Sequence, residues 1–134
     1  MARPQVLRSV TVLGECVADA FTDPGQSGPG ELALRALPGG GPANTAVALA
    51  RLGTPTRFLG RFSNDVFGTL FCARLRASGV DLTGSVTALE PSTLAVADLD
   101  ETGQATYTFY ADSAADWQWT DDELTGAGWT RRHA

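Results

Sequence analysis

The residues best placed to do chemistry in this chain are Asp19 and the run Pro38-Gly39-Gly40-Gly41-Pro42-Ala43-Asn44. Three successive glycines ahead of a helix let the backbone approach a ligand closely, and the helix start offers unpaired N–H groups to oxygen atoms. Asn44 adds an amide that can both donate to and accept from a hydroxyl. Asp19 falls at the end of a strand that should be buried, beyond Gly14. A carboxylate there suits bidentate hydrogen bonding to sugar hydroxyls. The bland alternatives stay open on these residues alone: a flexible loop before an ordinary helix, and a solvated turn acid. A dinucleotide fingerprint does not fit, because Asn44 stands where its third glycine belongs.

Composition narrows the chemistry further. The chain has 134 residues, 43% of them hydrophobic and 19% charged, which is enough for one domain with a real core. Fifteen acids against ten bases give a net charge of -5, so a basic nucleic-acid face is not expected. Every base is arginine. A phosphate-loop lysine, a Schiff-base lysine and a lysine general base are therefore excluded from this chain. The only histidine is His133, which argues against a His-centred triad or a His-rich zinc site. Cys16 and Cys72 lack CxxC spacing and are expected as small apolar residues in a reducing compartment. Glu15 and Asp19 interrupt the N-terminal apolar run too early for a signal-peptide core, and no stretch is long enough for a membrane span. The expectation is a cytoplasmic protein with no membrane and no nucleic-acid partner.

The elements that must hold these residues follow from periodicity. Val6 to Leu13 predicts a buried strand, and Val17 to Phe21 continues extended. Residues 22–30 are a loop on composition, and Glu31 to Leu37 alternates like a half-solvated strand. A helix starts near Pro42 and closes at Gly53, with Ala46, Val47, Leu49, Ala50 and Leu52 on its apolar face. Thr56 to Phe62 is the next strand, and Asn64 or Asp65 caps a second helix that ends at Gly79. Thr93 to Leu99 and Gln104 to Tyr110 predict a β-hairpin around Asp100-Glu101-Thr102-Gly103. Thr120-Asp121-Asp122-Glu123 opens another capped helix. Strand, helix, strand, helix indicates an α/β fold with a parallel sheet.

Taken together the residues resemble the ribokinase-like (PfkB-type) carbohydrate kinases. The likeness is carried by Val12-Leu13-Gly14-Glu15 with Asp19, and by Gly39-Gly40-Gly41-Pro42-Ala43-Asn44-Thr45-Ala46 with its helix to Gly53. It continues through Phe58-Leu59-Gly60-Arg61, Asn64-Asp65-Val66-Phe67-Gly68 and Leu75-Arg76-Ala77-Ser78-Gly79-Val80. Ser63 departs from the pattern, which usually has glycine there. The resemblance implies an incomplete Rossmann-like ribokinase fold: a parallel central sheet with flanking helices plus a small β lid. Residues 1–134 would be the N-terminal portion of a single domain, with core segments 6–14 and 38–80 and lid segments about 17–37 and 85–110.

By the same resemblance Asp19 would hold sugar hydroxyls, Gly39 and Gly40 would approach the sugar through backbone, and Asn44 would hydrogen-bond it. Tyr107, Phe109 or Tyr110 would help set sugar preference from the lid, or, as these residue types more often do, would simply pack the lid. The family's catalytic aspartate and its anion-hole turn belong to a second signature, and Thr125-Gly126-Ala127-Gly128 does not supply it, since Trp129 follows where the aspartate is needed. ATP and Mg²⁺ are expected for the full-length kinase and not as ligands held fully by this chain, for which no catalytic or metal-binding residue is assigned. The implied activity is ATP-dependent phosphorylation of a small-molecule sugar, with a non-catalytic sugar-binding or regulatory module as the alternative. Self-association through the lid or an exposed sheet edge is a further expectation.

Overall fold

The computed structural model describes residues 8–129. Strand β1 (Val10–Leu13) pairs in parallel with β4 (Thr56–Leu59), Val12 facing Phe58. Between them in sequence lie β2 (Val17–Thr22), β3 (Leu34–Gly39) and helix α1 (Gly41–Arg51). After β4 come β5 (Arg61–Ser63), helix α2 (Val66–Ala77) and β6 (Val86–Ala88), with β5 and β6 parallel. Strands β7 (Thr93–Leu99) and β8 (Ala105–Tyr110) form the hairpin, and α3 (Asp121–Gly126) follows. The second sheet has four strands in the order β3-β2-β7-β8; β2 and β7 are parallel, and both outer strands run antiparallel to their neighbours.

The helices start and stop for identifiable reasons. Gly40 precedes α1 and Pro42 occupies its first turn, where a missing N–H costs nothing. Gly53, with φ of 86°, ends it in the left-handed region that favours glycine. Asp65 caps α2 by accepting from the Gly68 N–H at 2.9 Å. A full capping box between Thr120 and Glu123 opens α3. The run Thr125 to Gly128 is simply the end of that helix, with Gly128 in the left-handed region.

The structure corrects several boundaries. The strand expected over Thr56 to Phe62 breaks at Gly60 into β4 and β5. A Cβ at Gly60 would meet the rings of both Phe58 and Phe62, which close over the glycine with centroids 6.1 Å apart. The strand expected over Glu31 to Leu37 begins later, at Leu34, and runs to Gly39. Residues 86–88, expected near the start of the second lid segment, pair instead with β5, and the hairpin proper begins at Thr93. The first strand is described from Val10; Val6 and Leu7 lie outside the described residues, as does His133.

The core gathers where α1 and α2 meet β4 and β5: Phe58, Phe62, Phe71, Val47, Leu75 and Val80 are buried together. Cys16 is buried in the same cluster and Cys72 packs at its edge, both as free thiols. No described helix is long and apolar enough to cross a membrane. Burial decides the cost of truncation here. Leu75→Ala, at a position 1% exposed, should destabilise the fold by about 2–5 kcal/mol. Leu52, expected on the apolar face of α1, caps its end instead and is 83% exposed, so Leu52→Ala should stay within about 0.5 kcal/mol. Urea unfolding of the two variants beside the parent measures the contrast.

Candidate functional site

The expected site residues lie on β2, at the end of β3 and at the start of α1. Asp19 lies on β2 opposite Leu37 of β3, which makes Gly39 its diagonal neighbour on the same face of the sheet. The two touch closely: a Cβ on Gly39 would run into the Asp19 carboxylate. Gly39 is thus the space into which the Asp19 side chain folds. The carboxylate accepts no hydrogen bond among the described residues, and burial pushes its pKa above the usual aspartate value.

Gly40 plays a different part. Its φ is 103°, and a Cβ there would stand 2.7 Å from the Glu15 carbonyl oxygen and 3.2 Å from the Cys16 Cα. Only glycine lets the chain turn from β3 into α1 against the β1–β2 connection. Asn44 follows in the first turn, its N–H donating to the Gly40 carbonyl at 3.0 Å and its side chain exposed. Asn44 and Gly39 line one small cavity, together with Cys16, Pro38 and Arg74. The structure therefore brings Asp19 against Gly39, and Gly39 into one cavity with Asn44.

The three lid aromatics separate by register. Ala95 faces Asp19 on one side and Phe109 on the other, and Ala97 likewise lies between Phe21 and Tyr107. Paired residues share a face, so Tyr107 and Phe109 stand on the Asp19 face, stacked on each other with centroids 6.1 Å apart. Tyr110 pairs with Leu94, which faces Ala18, and so lies on the opposite face. Of these three alternatives, Tyr107 and Phe109 share the face of Asp19 and Tyr110 does not.

Reading the sequence missed a polar cluster behind the site. Arg61 donates to Glu123 at 2.9 Å, to Glu90 at 3.0 Å and to the Ala115 carbonyl at 3.1 Å. Thr93 donates to Asp116 at 2.6 Å, and the other Asp116 carboxylate oxygen is buried without a partner among the described residues. Burial pushes the Asp116 pKa up, against the lowering effect of the Thr93 hydrogen bond. The partners are far apart in sequence, so no local signal announces them.

The two glycines should respond differently to a methyl group. Gly39→Ala presses only on the end of a movable side chain and should displace the Asp19 carboxylate with little loss of stability. Gly40→Ala meets backbone at a strained φ and should cost about 1–3 kcal/mol. Thermal melting of both variants tests this, and a Gly39→Ala protein melting as low as Gly40→Ala would contradict it.

Comparison with known proteins agrees with this geometry. Residues 7–128 match the pfkB family carbohydrate kinases. A fructokinase of Klebsiella pneumoniae is 38% identical over 108 residues, covering 80% of this chain and 33% of that protein. The chain thus spans about a third of the length of the curated relatives it matches. The crystal structure of a Xylella fastidiosa fructokinase with bound ATP superposes with a TM-score of 0.78 at 29% identity, covering 88% of this chain and 37% of that one. A Vibrio cholerae O395 fructokinase with fructose, ADP and calcium ion bound gives 0.70 at 32% identity, covering 87% and 36%. The fold is a partial ribokinase-like α/β fold, and the chain belongs to the pfkB carbohydrate kinase family.

Proposed function

We propose that these residues form the sugar-binding part of an ATP-dependent carbohydrate kinase, with a fructose-like ketose as acceptor. The observation that carries the reading is the Asp19 carboxylate, partly desolvated, left without an internal hydrogen bond and seated against a backbone that lacks a side chain at Gly39. Such a group is suited to accept from two neighbouring hydroxyls. Asn44 at the start of α1 offers a further amide, and Gly40 brings backbone to the same corner. The fructokinase relatives support fructose as the sugar to test first. In this reading the four-stranded sheet is the lid, and its Tyr107 and Phe109 stand on the sugar side.

Phosphoryl transfer from ATP also needs charge neutralisation and a base near the attacking oxygen. Among the described residues no group of three His, Cys, Asp or Glu side chains could hold a metal ion. On this reading no described residue of this chain is assigned to hold Mg²⁺ or ATP. The contribution of this chain is to bind and orient the sugar and to keep water from it under the sheet.

Fructose titration by calorimetry tests the assignment. A hydrogen bond to a charged group contributes about 1.5–3 kcal/mol, so Asp19→Ala should weaken fructose binding about tenfold or more. The same variant should melt no lower than the parent at pH 7, because it removes a desolvated charge. Loss of binding together with loss of fold would contradict a site at Asp19. A coupled ADP-release assay with fructose, other hexoses and pentoses should show no turnover by this chain alone; turnover would overturn the division of labour. Fructose binding without turnover even when the remaining length of a related kinase is supplied would favour the non-catalytic sugar-binding module.

A further inference from the structure

The four-stranded sheet joins the rest of the molecule at two places of unlike chemistry. On one side the chain passes through Gly14 to Cys16 and through Gly39 to Gly41, in close backbone contact. On the other it enters β7 at Ser92 and returns after β8 through a 3-10 turn at Ala115–Trp117. This second junction is built from side-chain hydrogen bonds. The Asp65 carboxylate accepts from the Ser92 N–H at 2.8 Å and the Ser92 hydroxyl at 2.7 Å, besides the Gly68 N–H that it caps. Ala115 N–H donates to the Pro91 carbonyl at 2.8 Å, and Thr93 donates to Asp116. The two ends of the hairpin are thereby fastened to each other, and through Ser92 to the first turn of α2.

We propose that Asp65 is a positioning residue: its carboxylate anchors the hairpin β7–β8 to α2 and so fixes the orientation in which Tyr107 and Phe109 stand over the Asp19 face. Among the described residues, Asp65 is the only group at this junction that holds both a core helix and the residue leading into β7. Its two oxygens serve three donors, a number that no neutral side chain of its size can match, since the amide of asparagine has one acceptor oxygen. Burial alone would raise its pKa, but the hydrogen bonds from Ser92 and Gly68 outweigh it and hold the group below the usual aspartate value, as an anchor that stays charged requires. Ser92 sits next to Thr93, the first residue of β7, so any shift at the anchor passes directly into the strand that pairs with Asp19's own strand. The proposal rests on the sugar-site reading for its purpose, though not for its test.

Amide hydrogen exchange of the sugar-free 134-residue chain separates an anchor from a helix cap. Asn is as good a cap as Asp, so Asp65→Asn can keep the bond to Gly68 while presenting an N–H donor to the Ser92 N–H. The expected result is exchange about tenfold faster in β7 and β8, with α2 and the β1–β4 pair changed by less than about twofold. Ser92→Ala, which leaves α2 and its cap untouched, should change the same strands in the same direction and by less. Unchanged β7–β8 exchange in both variants would overturn the proposal. Equal acceleration of every element, or acceleration confined to α2, would also overturn it, because Asp65 would then serve only stability or capping. Exchange is read without sugar, so failure of the anchor is distinguishable from failure of the site, which the fructose titration reports.

Discussion

Two stretches of backbone cross at van der Waals distance in this molecule, and the placement of nearly everything else follows from that crossing. Gly14 admits the ring of Pro42, and Gly40 admits the Glu15 carbonyl and the Cys16 Cα; a side chain at either glycine would occupy the space its neighbour already fills. The crossing fixes where β1 hands over to β2 and where β3 hands over to α1. It also brings Asp19 beside Gly39 and starts α1 one residue beyond Gly40. A catalytic or binding surface made from backbone in this way loses conformational entropy at each glycine on folding. The apolar cluster around Phe58, Phe71 and Leu75 supplies the compensating burial a short distance away.

What the sequence made legible was what depends on near neighbours. The glycine run, the proline in the first turn of α1, the capping residues Asp65 and Thr120 and the stops at Gly53 and Gly79 all act within a few residues, and all stand where their chemistry predicts. Elements governed by distant partners were misplaced. Gly60 looked like an ordinary residue in a continuous apolar strand, and only the folded positions of Phe58 and Phe62 show why the strand breaks there. Val86–Ala88 fell within the segment of about 85–110 expected to belong with the hairpin, but it pairs with β5 in a sheet of its own, which no local pattern encodes. Tyr110 was grouped with Tyr107 and Phe109 by type, whereas the two-residue period of a strand separates it from them. Arg61 and Asp116 carried no signal at all, since their roles exist only once residues 90–93 and 115–123 have come together.

Three aspartates show how environment assigns different duties to one side chain. Asp65 receives three hydrogen bonds and its pKa is lowered, so it contributes stability above the ordinary aspartate value near 3.8 and loses that contribution as pH falls through its lower folded value. Asp116 receives one and is raised by burial. Asp19 receives none among the described residues and is raised by burial alone. For Asp19 the sign reverses: the folded state holds its proton more tightly than the unfolded chain does, so the fold gains stability as pH falls and carries a charged, under-solvated group at neutral pH. The donors it lacks are those that a polyhydroxylated ligand brings. On the proposed reading, hydroxyls at the right spacing donate to both oxygens of the carboxylate, and a ligand without them does not.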